Sequence, residues 1–82
     1  MQNKFTKVLK YDAVFEENEG GGYTVTVPSL PGCISEGDSF EKARVNIADA
    51  IKLYIEDLQA DNKEIPSSNS PTFVGQISVA FP

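Results

Sequence analysis

Apolar and polar residues alternate along residues 8–17, and this period of two predicts a strand with one buried face. The apolar side of that strand carries Leu9, Tyr11, Ala13 and Phe15. Residues 16–22 are acids, asparagine and glycines, which interrupt the alternation and predict a turn. Residues 23–27 are β-branched or aromatic and predict a second strand. Together the two segments predict a β-hairpin with a long glycine-rich tip.

A tight turn and a short third strand follow the hairpin. Residues 28–32 contain two prolines and a glycine, which favour a turn because proline lacks a backbone donor and glycine tolerates positive φ. Residues 33–37 form the predicted third strand. Either Asp38 or Ser39 then caps a helix: with Asp38 as the cap, Glu41 completes a capping box, and with Ser39 as the cap the box is lost.

The predicted helix has a single apolar stripe, because its apolar residues recur at intervals of three and four. The stripe consists of Phe40, Ala43, Ile47, Ala50, Ile51, Tyr54, Ile55 and Leu58. We expect the helix to end near Ala60, with Asn62 as a left-handed C-cap. The stripe can cover one face of the sheet and so form the core of the domain.

A polar linker over residues 63–71 leads to a second alternating segment, which predicts a fourth strand. One side of that strand carries Phe73, Gly75, Ile77, Val79 and Phe81. The predicted order is therefore β-β-β-α-β. This is an α+β fold class in which one helix packs on one face of a mostly antiparallel sheet, within a single domain spanning residues 1–82.

Composition narrows the chemistry that such a domain could perform. The chain has 82 residues, no histidine, one cysteine and a formal net charge of −5. These counts exclude a histidine-activated nucleophile, an intramolecular disulfide and the usual Cys/His zinc site, so we expect no cofactor. The acidic charge argues against general nucleic-acid binding. No apolar run is long enough to span a bilayer, and we expect a cytoplasmic protein.

Three candidate catalytic features have better non-catalytic interpretations. Asp12 could hold a metal ion in a nuclease, but Asp49, Glu56 and Asp57 lie opposite the apolar stripe and the last predicted strand has no acid. The glycines at 20–22 lead into a strand rather than a helix, which favours a hairpin tip over a phosphate cradle. Cys33 has no activating partner and is expected to be a small buried residue. We therefore expect no enzymatic activity.

Four motifs in a row give the chain a more specific signature. They are the glycine run before a tyrosine strand, a P-x-L-P-G-C turn, a G-D-S start to the helix, and I-x-x-Y-I-E-D-L near its end. In this order and spacing they resemble the HicB-like antitoxin family. The motif residues that we expect to be structural are Gly22, Tyr23, Pro28, Leu30, Pro31, Gly32, Cys33, Gly37, Asp38 and Ser39.

The resemblance implies a partial RNase H-like fold and an antitoxin role in a toxin-antitoxin system. Such a protein binds and neutralises a small HicA-type toxin, an mRNA interferase with a catalytic histidine, by masking its RNA-binding and catalytic surface. Many HicB proteins continue into a DNA-binding domain; here we expect no C-terminal DNA-binding domain and no direct DNA binding. One alternative is a solitary HicB-like regulatory or interaction domain with another protein partner. A metal-dependent RNase H-like nuclease is a less favoured alternative.

The residues expected to contact a partner lie in the acidic hairpin, the turn and the sheet edges, and the sequence does not choose among these. They are Asp12, Glu16, Glu17, Glu19, Pro31, Gly32 and Glu36. Acidic charge would steer this surface towards a basic toxin, although it could also serve solubility alone. Open strand edges further predict a homo-oligomer, either a dimer or a tetramer.

Overall fold

The computed structural model describes residues 8–67 and 73–82. Three strands, β1 (Val14–Glu17), β2 (Tyr23–Thr26) and β3 (Ile34–Gly37), precede one helix, α1 (Phe40–Ala60). The strands form one antiparallel sheet in the order β1-β2-β3. The predicted α+β class, with one helix on one face of an antiparallel sheet, is confirmed.

The strand register separates the sheet into two faces. Phe15, Val25 and Ser35 are opposite one another, and this row lies on the side that faces α1. The neighbouring row of Glu16, Thr24 and Glu36 therefore lies on the other side, which we call the outer face.

The core lies between the inner face of the sheet and α1. Its buried members come from β2, the turn after it and the first half of the helix: Val25, Val27, Leu30, Cys33, Ala43 and Ile47. Partly buried side chains pack around this cluster, and they are Tyr11, Ala13, Phe15, Tyr23, Ala50, Ile51, Tyr54 and Ile55. Six of the eight residues of the predicted helical stripe are thereby confirmed as core, whereas its first residue, Phe40, is 47% exposed. Leu9, predicted for the buried side of the first strand, is 36% exposed.

Local hydrogen bonds determine both ends of α1. The Ser39 hydroxyl accepts a bond from the Lys42 backbone N–H at 3.1 Å, so Ser39 is the N-cap and the alternative capping box with Asp38 is wrong. At the other end Asn62 has φ of 56°, and the Lys63 N–H donates to the Leu58 carbonyl. This is a Schellman arrangement, so Asn62 is left-handed as predicted, one residue beyond the C-cap Asp61.

Two consecutive turns connect β2 to β3. The Leu30 N–H donates to the Val27 carbonyl at 3.0 Å, and the Cys33 N–H donates to the Leu30 carbonyl at 2.9 Å. Pro31 and Gly32 occupy the centre of the second turn, where Gly32 has φ of +86°. Proline followed by a glycine with positive φ is the combination that a type II turn needs. The turn buries Leu30 completely.

The closest approach between layers is at Gly37, the last residue of β3. A Cβ atom added there would lie 2.6 Å from Ala43 Cα, well inside van der Waals contact. Gly22 is on the neighbouring strand end, and an added Cβ would lie 2.8 Å from the Gly37 carbonyl oxygen. Both glycines are therefore required by packing, because backbone meets backbone at this corner.

Two predictions about strands are wrong. The first strand was expected to begin at residue 8, but its ladder covers only Val14–Glu17, because β2 pairs with no more than these residues. The fourth strand is not formed: residues 73–82 belong to no strand and all are exposed. A strand needs a ladder partner, and alternation alone does not supply one. Each large apolar side chain left in water forgoes about 1.5–3 kcal/mol of burial free energy.

We predict that Gly37→Ala destabilises the domain by about 3 kcal/mol, because the added methyl collides with helix backbone that cannot rotate away. Urea denaturation followed by circular dichroism measures the loss. Gly20→Ala is the matched control, since nothing lies within 4 Å of its added Cβ. Equal stability of the two variants would contradict the close packing at Gly37.

We also predict that Ser39→Ala lowers the free energy of unfolding by about 1 kcal/mol, because the Lys42 N–H loses its acceptor. Asp38→Asn is the control, since Asp38 does not cap the helix, and it should cost less. Thermal or urea unfolding compares the two. A larger loss of unfolding free energy in the Asp38 variant would show that Asp38, and not Ser39, caps the helix.

Candidate partner-binding surface

The outer face of the sheet carries two rows of side chains that α1 does not cover. One row is Val14, Thr26 and Ile34, and the next is Glu16, Thr24 and Glu36. Ile34 is 56% exposed, and both glutamates are exposed. The outer face therefore combines a short apolar row with an acidic row.

The predicted acidic residues come together at the hairpin end of this face. Neighbouring strands lie about 4.8 Å apart, so the backbones of Glu16 and Glu36, on either side of β2, are separated by about 10 Å. Glu17 and Glu19 are also exposed at this end of the hairpin, but Glu17 is opposite Tyr23 in a row that faces α1, and Glu19 lies in the tip. We call Glu16, Glu17, Glu19 and Glu36 the acidic surface, and of these Glu16 and Glu36 belong to the outer face.

Hydrogen bonds hold the tip beside the acidic surface in a defined shape. The Asn18 N–H donates to the Gly22 carbonyl at 2.9 Å, and the Gly21 N–H donates to the Asn18 carbonyl at 3.0 Å. The Thr24 hydroxyl donates to the Asn18 side-chain oxygen, also at 2.9 Å. The positive φ values of Gly21 and Gly22 allow this compact course. The glycine run is therefore part of an ordered hairpin tip.

The other predicted contact residues do not join the acidic surface. Pro31 and Gly32 are exposed, but they lie in the turn at the opposite end of β2 and β3. The Tyr54 hydroxyl donates to the Pro31 carbonyl at 2.8 Å and ties that turn to the helix. Asp12 is exposed and precedes β1. The seven predicted contact residues thus lie in three separate locations: the acidic surface, the turn with Pro31 and Gly32, and Asp12 before β1.

A metal-dependent nuclease would need a cluster of metal-ligating side chains, and residues 8–67 and 73–82 contain none. No three His, Cys, Asp or Glu side chains in these ranges come close enough to hold a metal ion. Asp49, Glu56 and Asp57 are exposed on the helix, as their position opposite the apolar stripe predicted. In the same part of the chain, no helix has both the length and the hydropathy to cross a membrane.

Comparison with known proteins identifies the family. A protein-family model, described as the HicB_like antitoxin of bacterial toxin-antitoxin system, matches residues 11–78, which is most of the chain. The chain belongs to the HicB-like antitoxin family. The predicted resemblance is thereby confirmed, and so is the family's general role as the antitoxin of a toxin-antitoxin system.

Individual relatives differ in how much of their own length this chain matches. A UPF0150 protein of Thermoplasma acidophilum is 42% identical over 62 residues, which cover 76% of this chain and 90% of the relative. One from Synechocystis is 41% identical over 77% of this chain and 80% of its own length. Antitoxin HicB 1 of Photorhabdus laumondii is 36% identical over 93% of this chain but only 47% of its own length.

The HicB-like motifs coincide with the tightest parts of the fold. Gly22 and Gly37 form the backbone contact at the hairpin end, Leu30 and Gly32 build the buried turn, and Ser39 caps α1. Tyr23 packs edge-on against Phe40, with ring centroids 5.9 Å apart. These contacts are the kind that structural residues make, while the structural role of the motif residues and the partner-binding role of the acidic residues between them stay predictions.

Sequence reasoning missed the apolar row of the outer face. Ile34 was counted only as part of a short strand, although its exposed side chain is opposite Thr26 and beside the acidic row. The signal was present in the sequence, because alternate residues of the predicted third strand, 33–37, lie on the same face of the sheet. That parity places Ile34 and Glu36 together on the outer face.

Cys33 is part of the core, and its side chain is only 5% exposed. Burial raises the pKa of its thiol above the usual value, which reduces the reactive thiolate at neutral pH. The prediction of a small buried residue is confirmed.

We predict that Cys33 of the folded protein reacts with a thiol reagent such as DTNB at least about tenfold more slowly than a free cysteine at pH 7.5. The reaction should reach the rate of an unfolded peptide when urea unfolds the domain. Absorbance of the released dye measures both rates. A fast reaction without denaturant would show that the thiol is accessible in the native state.

Proposed function

We propose that this HicB-like protein binds a small HicA-type mRNA interferase and neutralises it by covering the surface with which the toxin holds RNA. The protein acts in the cytoplasm, where mRNA is the toxin's target, and performs no chemistry of its own. The observation that supports the proposal is the acidic surface, in which Glu16 and Glu36 lie on the outer face that the core does not use and Glu17 and Glu19 lie beside them at the hairpin end.

Electrostatics make this surface suitable for an RNA-binding partner. A protein that binds RNA presents lysines and arginines to phosphates, and four exposed carboxylates at one end of the hairpin complement that charge. The chain as a whole carries a net charge of −5, so attraction at long range adds to the local match. An acidic antitoxin thereby competes with RNA for the same basic residues.

The outer face also supplies the apolar contact that a stable complex needs. Charged rims mainly affect association rate and specificity, whereas desolvated apolar contacts at the centre give most of the binding free energy. Ile34 is 56% exposed and lies with Val14 in the row next to the acidic residues. We therefore place Ile34 at the centre of the contact and the glutamates around it.

The test begins with a search beside this chain's gene for a short reading frame that encodes a basic, histidine-containing protein, and that protein is then used as the toxin. Glu16→Lys together with Glu36→Lys should weaken binding at least about tenfold, chiefly through slower association, and should remove most of the dependence on salt. Surface plasmon resonance at several ionic strengths measures both. In cells, the same double variant should fail to rescue growth when the neighbouring protein is expressed.

The matched control is Asp49→Lys together with Glu56→Lys, on the exposed side of α1. Both double variants replace two acids with two lysines, so they change the net charge of the protein equally. Equal loss of binding in the two would show that only total charge matters and would refute the assignment to the outer face. Failure of the parent protein to bind the neighbouring protein would favour the alternative, a solitary interaction domain with another partner.

A further inference from the structure

A small groove lies between β3 and the second half of α1, and we call it the β3 groove. Its volume is about 240 Å³, and its apolar lining includes Ile34 of β3 and Ala50, Leu53 and Tyr54 of α1. Two large aliphatic side chains at this groove remain in water, since Ile34 is 56% exposed and Leu53 is 62% exposed. Leu53 lies outside the apolar stripe, so the core does not account for it. Exposed apolar side chains that meet at one concavity are typical of a contact surface.

Hydrogen bonds and burial hold the walls of the β3 groove in place. The Tyr54 hydroxyl donates to the Pro31 carbonyl at 2.8 Å, which ties α1 to the turn before β3. In the same turn the Cys33 N–H donates to the Leu30 carbonyl at 2.9 Å. The Cys33 side chain, which is only 5% exposed, belongs to the groove lining and to the core. A partner therefore does not have to order these walls, which lowers the entropic cost of binding.

Asp57 gives the β3 groove a charge of one sign. Among the described residues that line the groove, Asp57 is the only charged one, and it is exposed. It lies near the C-terminal end of α1, where the backbone carbonyls of a helix carry partial negative charge. The last turn of α1, which is within the described residues, contains no basic residue. A cation bound beside Asp57 would therefore be attracted by the carboxylate and by the end of the helix.

A second groove, lined by Leu9 and Ile55, has a different charge pattern. Its lining also contains Lys52 and Glu56, so it presents both signs of charge. A basic segment would meet attraction and repulsion there, whereas the β3 groove offers it the Asp57 carboxylate alone. Of these two grooves, the β3 groove is the one that suits a basic partner.

We propose that the β3 groove receives a segment of a basic protein, with one large apolar side chain between Ile34 and Leu53 and a lysine or arginine beside Asp57. The partner is the one of the proposed function, on which its identity rests. The groove continues the contact of the outer face, because Ile34 belongs to both surfaces. A second copy of this chain fits less well, since its net charge of −5 would bring mainly like charge to Asp57.

The first experiment tests the chemistry of the β3 groove without the toxin. The probe is the peptide acetyl-Ala-Phe-Ala-Arg-amide, added to the full chain labelled at its isoleucine and leucine methyl groups. In NMR spectra the methyl signals of Ile34 and Leu53 should shift, with a dissociation constant on the order of 1 mM. The same peptide with glutamate in place of arginine should bind at least about fivefold more weakly.

The controls of this titration are two variants that each remove one negative charge. Asp57→Asn should abolish the preference for the arginine peptide, whereas Glu56→Gln, one residue away and outside the β3 groove, should keep it. Absence of shifts at Ile34 and Leu53 would overturn the proposal. Equal binding of the two peptides to the parent protein, or equal effects of the two variants, would overturn it as well.

The second experiment measures whether the partner uses the β3 groove. Leu53→Ser removes apolar area without adding charge, and it should weaken binding of the neighbouring basic protein at least about tenfold, mainly through faster dissociation. Val45→Ser is the matched control, because Val45 is also an exposed apolar residue of α1 and does not line the groove. It should leave binding unchanged. Surface plasmon resonance measures the complexes, and sedimentation equilibrium gives the mass of each protein alone.

The outcomes separate this proposal from the proposed function. If the parent protein binds the neighbouring protein and the Leu53 and Val45 variants bind it equally well, the groove has no part in the contact and the proposal is overturned. A parent dimer that Leu53→Ser dissociates would assign the groove to a second copy, which also overturns it. If the parent binds no neighbouring protein, the proposed function fails, and the peptide titration decides the chemistry of the groove by itself.

Discussion

The direct contact between the backbones of Gly37 and Ala43 determines how the rest of the domain is arranged. Because no side chain separates them, the start of α1 lies on the end of β3, and Ala43 and Ile47 become fully part of the core. The Ser39 cap follows from the same geometry, since the chain must begin its helix within two residues of β3. One close contact thus determines the position and the direction of the only helix in the described residues.

The same contact brings the start of α1 directly onto β3. Further along the helix, a groove remains between Leu9 and α1, where Ala48, Ile51 and Ile55 line it together with polar residues. The inner face of the sheet thereby supplies the core, whereas none of the described outer-face residues belongs to the core cluster. Charge can accumulate at Glu16 and Glu36 because neither side chain is needed in the core. A small HicB-like protein can therefore keep separate surfaces for folding and for contact with partners.

Local patterns were sufficient to predict the hairpin, the turn and the helix. The stripe from Ala43 to Ile55 and the proline-glycine turn depend on neighbours within a few residues, and both are found as predicted. The choice between Asp38 and Ser39 depended on the exact direction of the chain after Gly37, which no local pattern contains. The acidic residues were recognised by charge, but their division between the hairpin end and the far turn required the register of three strands.

The missing fourth strand shows most clearly what a sequence pattern specifies. Alternation at residues 73–82 requires an apolar surface on one side and a ladder partner along the backbone, but it does not state which chain provides them. In an 82-residue domain the core is small, and Ile77 and Val79 remain 86% and 69% exposed. The pattern of this segment therefore specifies the conformation that its residues favour, whereas the surface that would bury them depends on contacts that no local pattern contains.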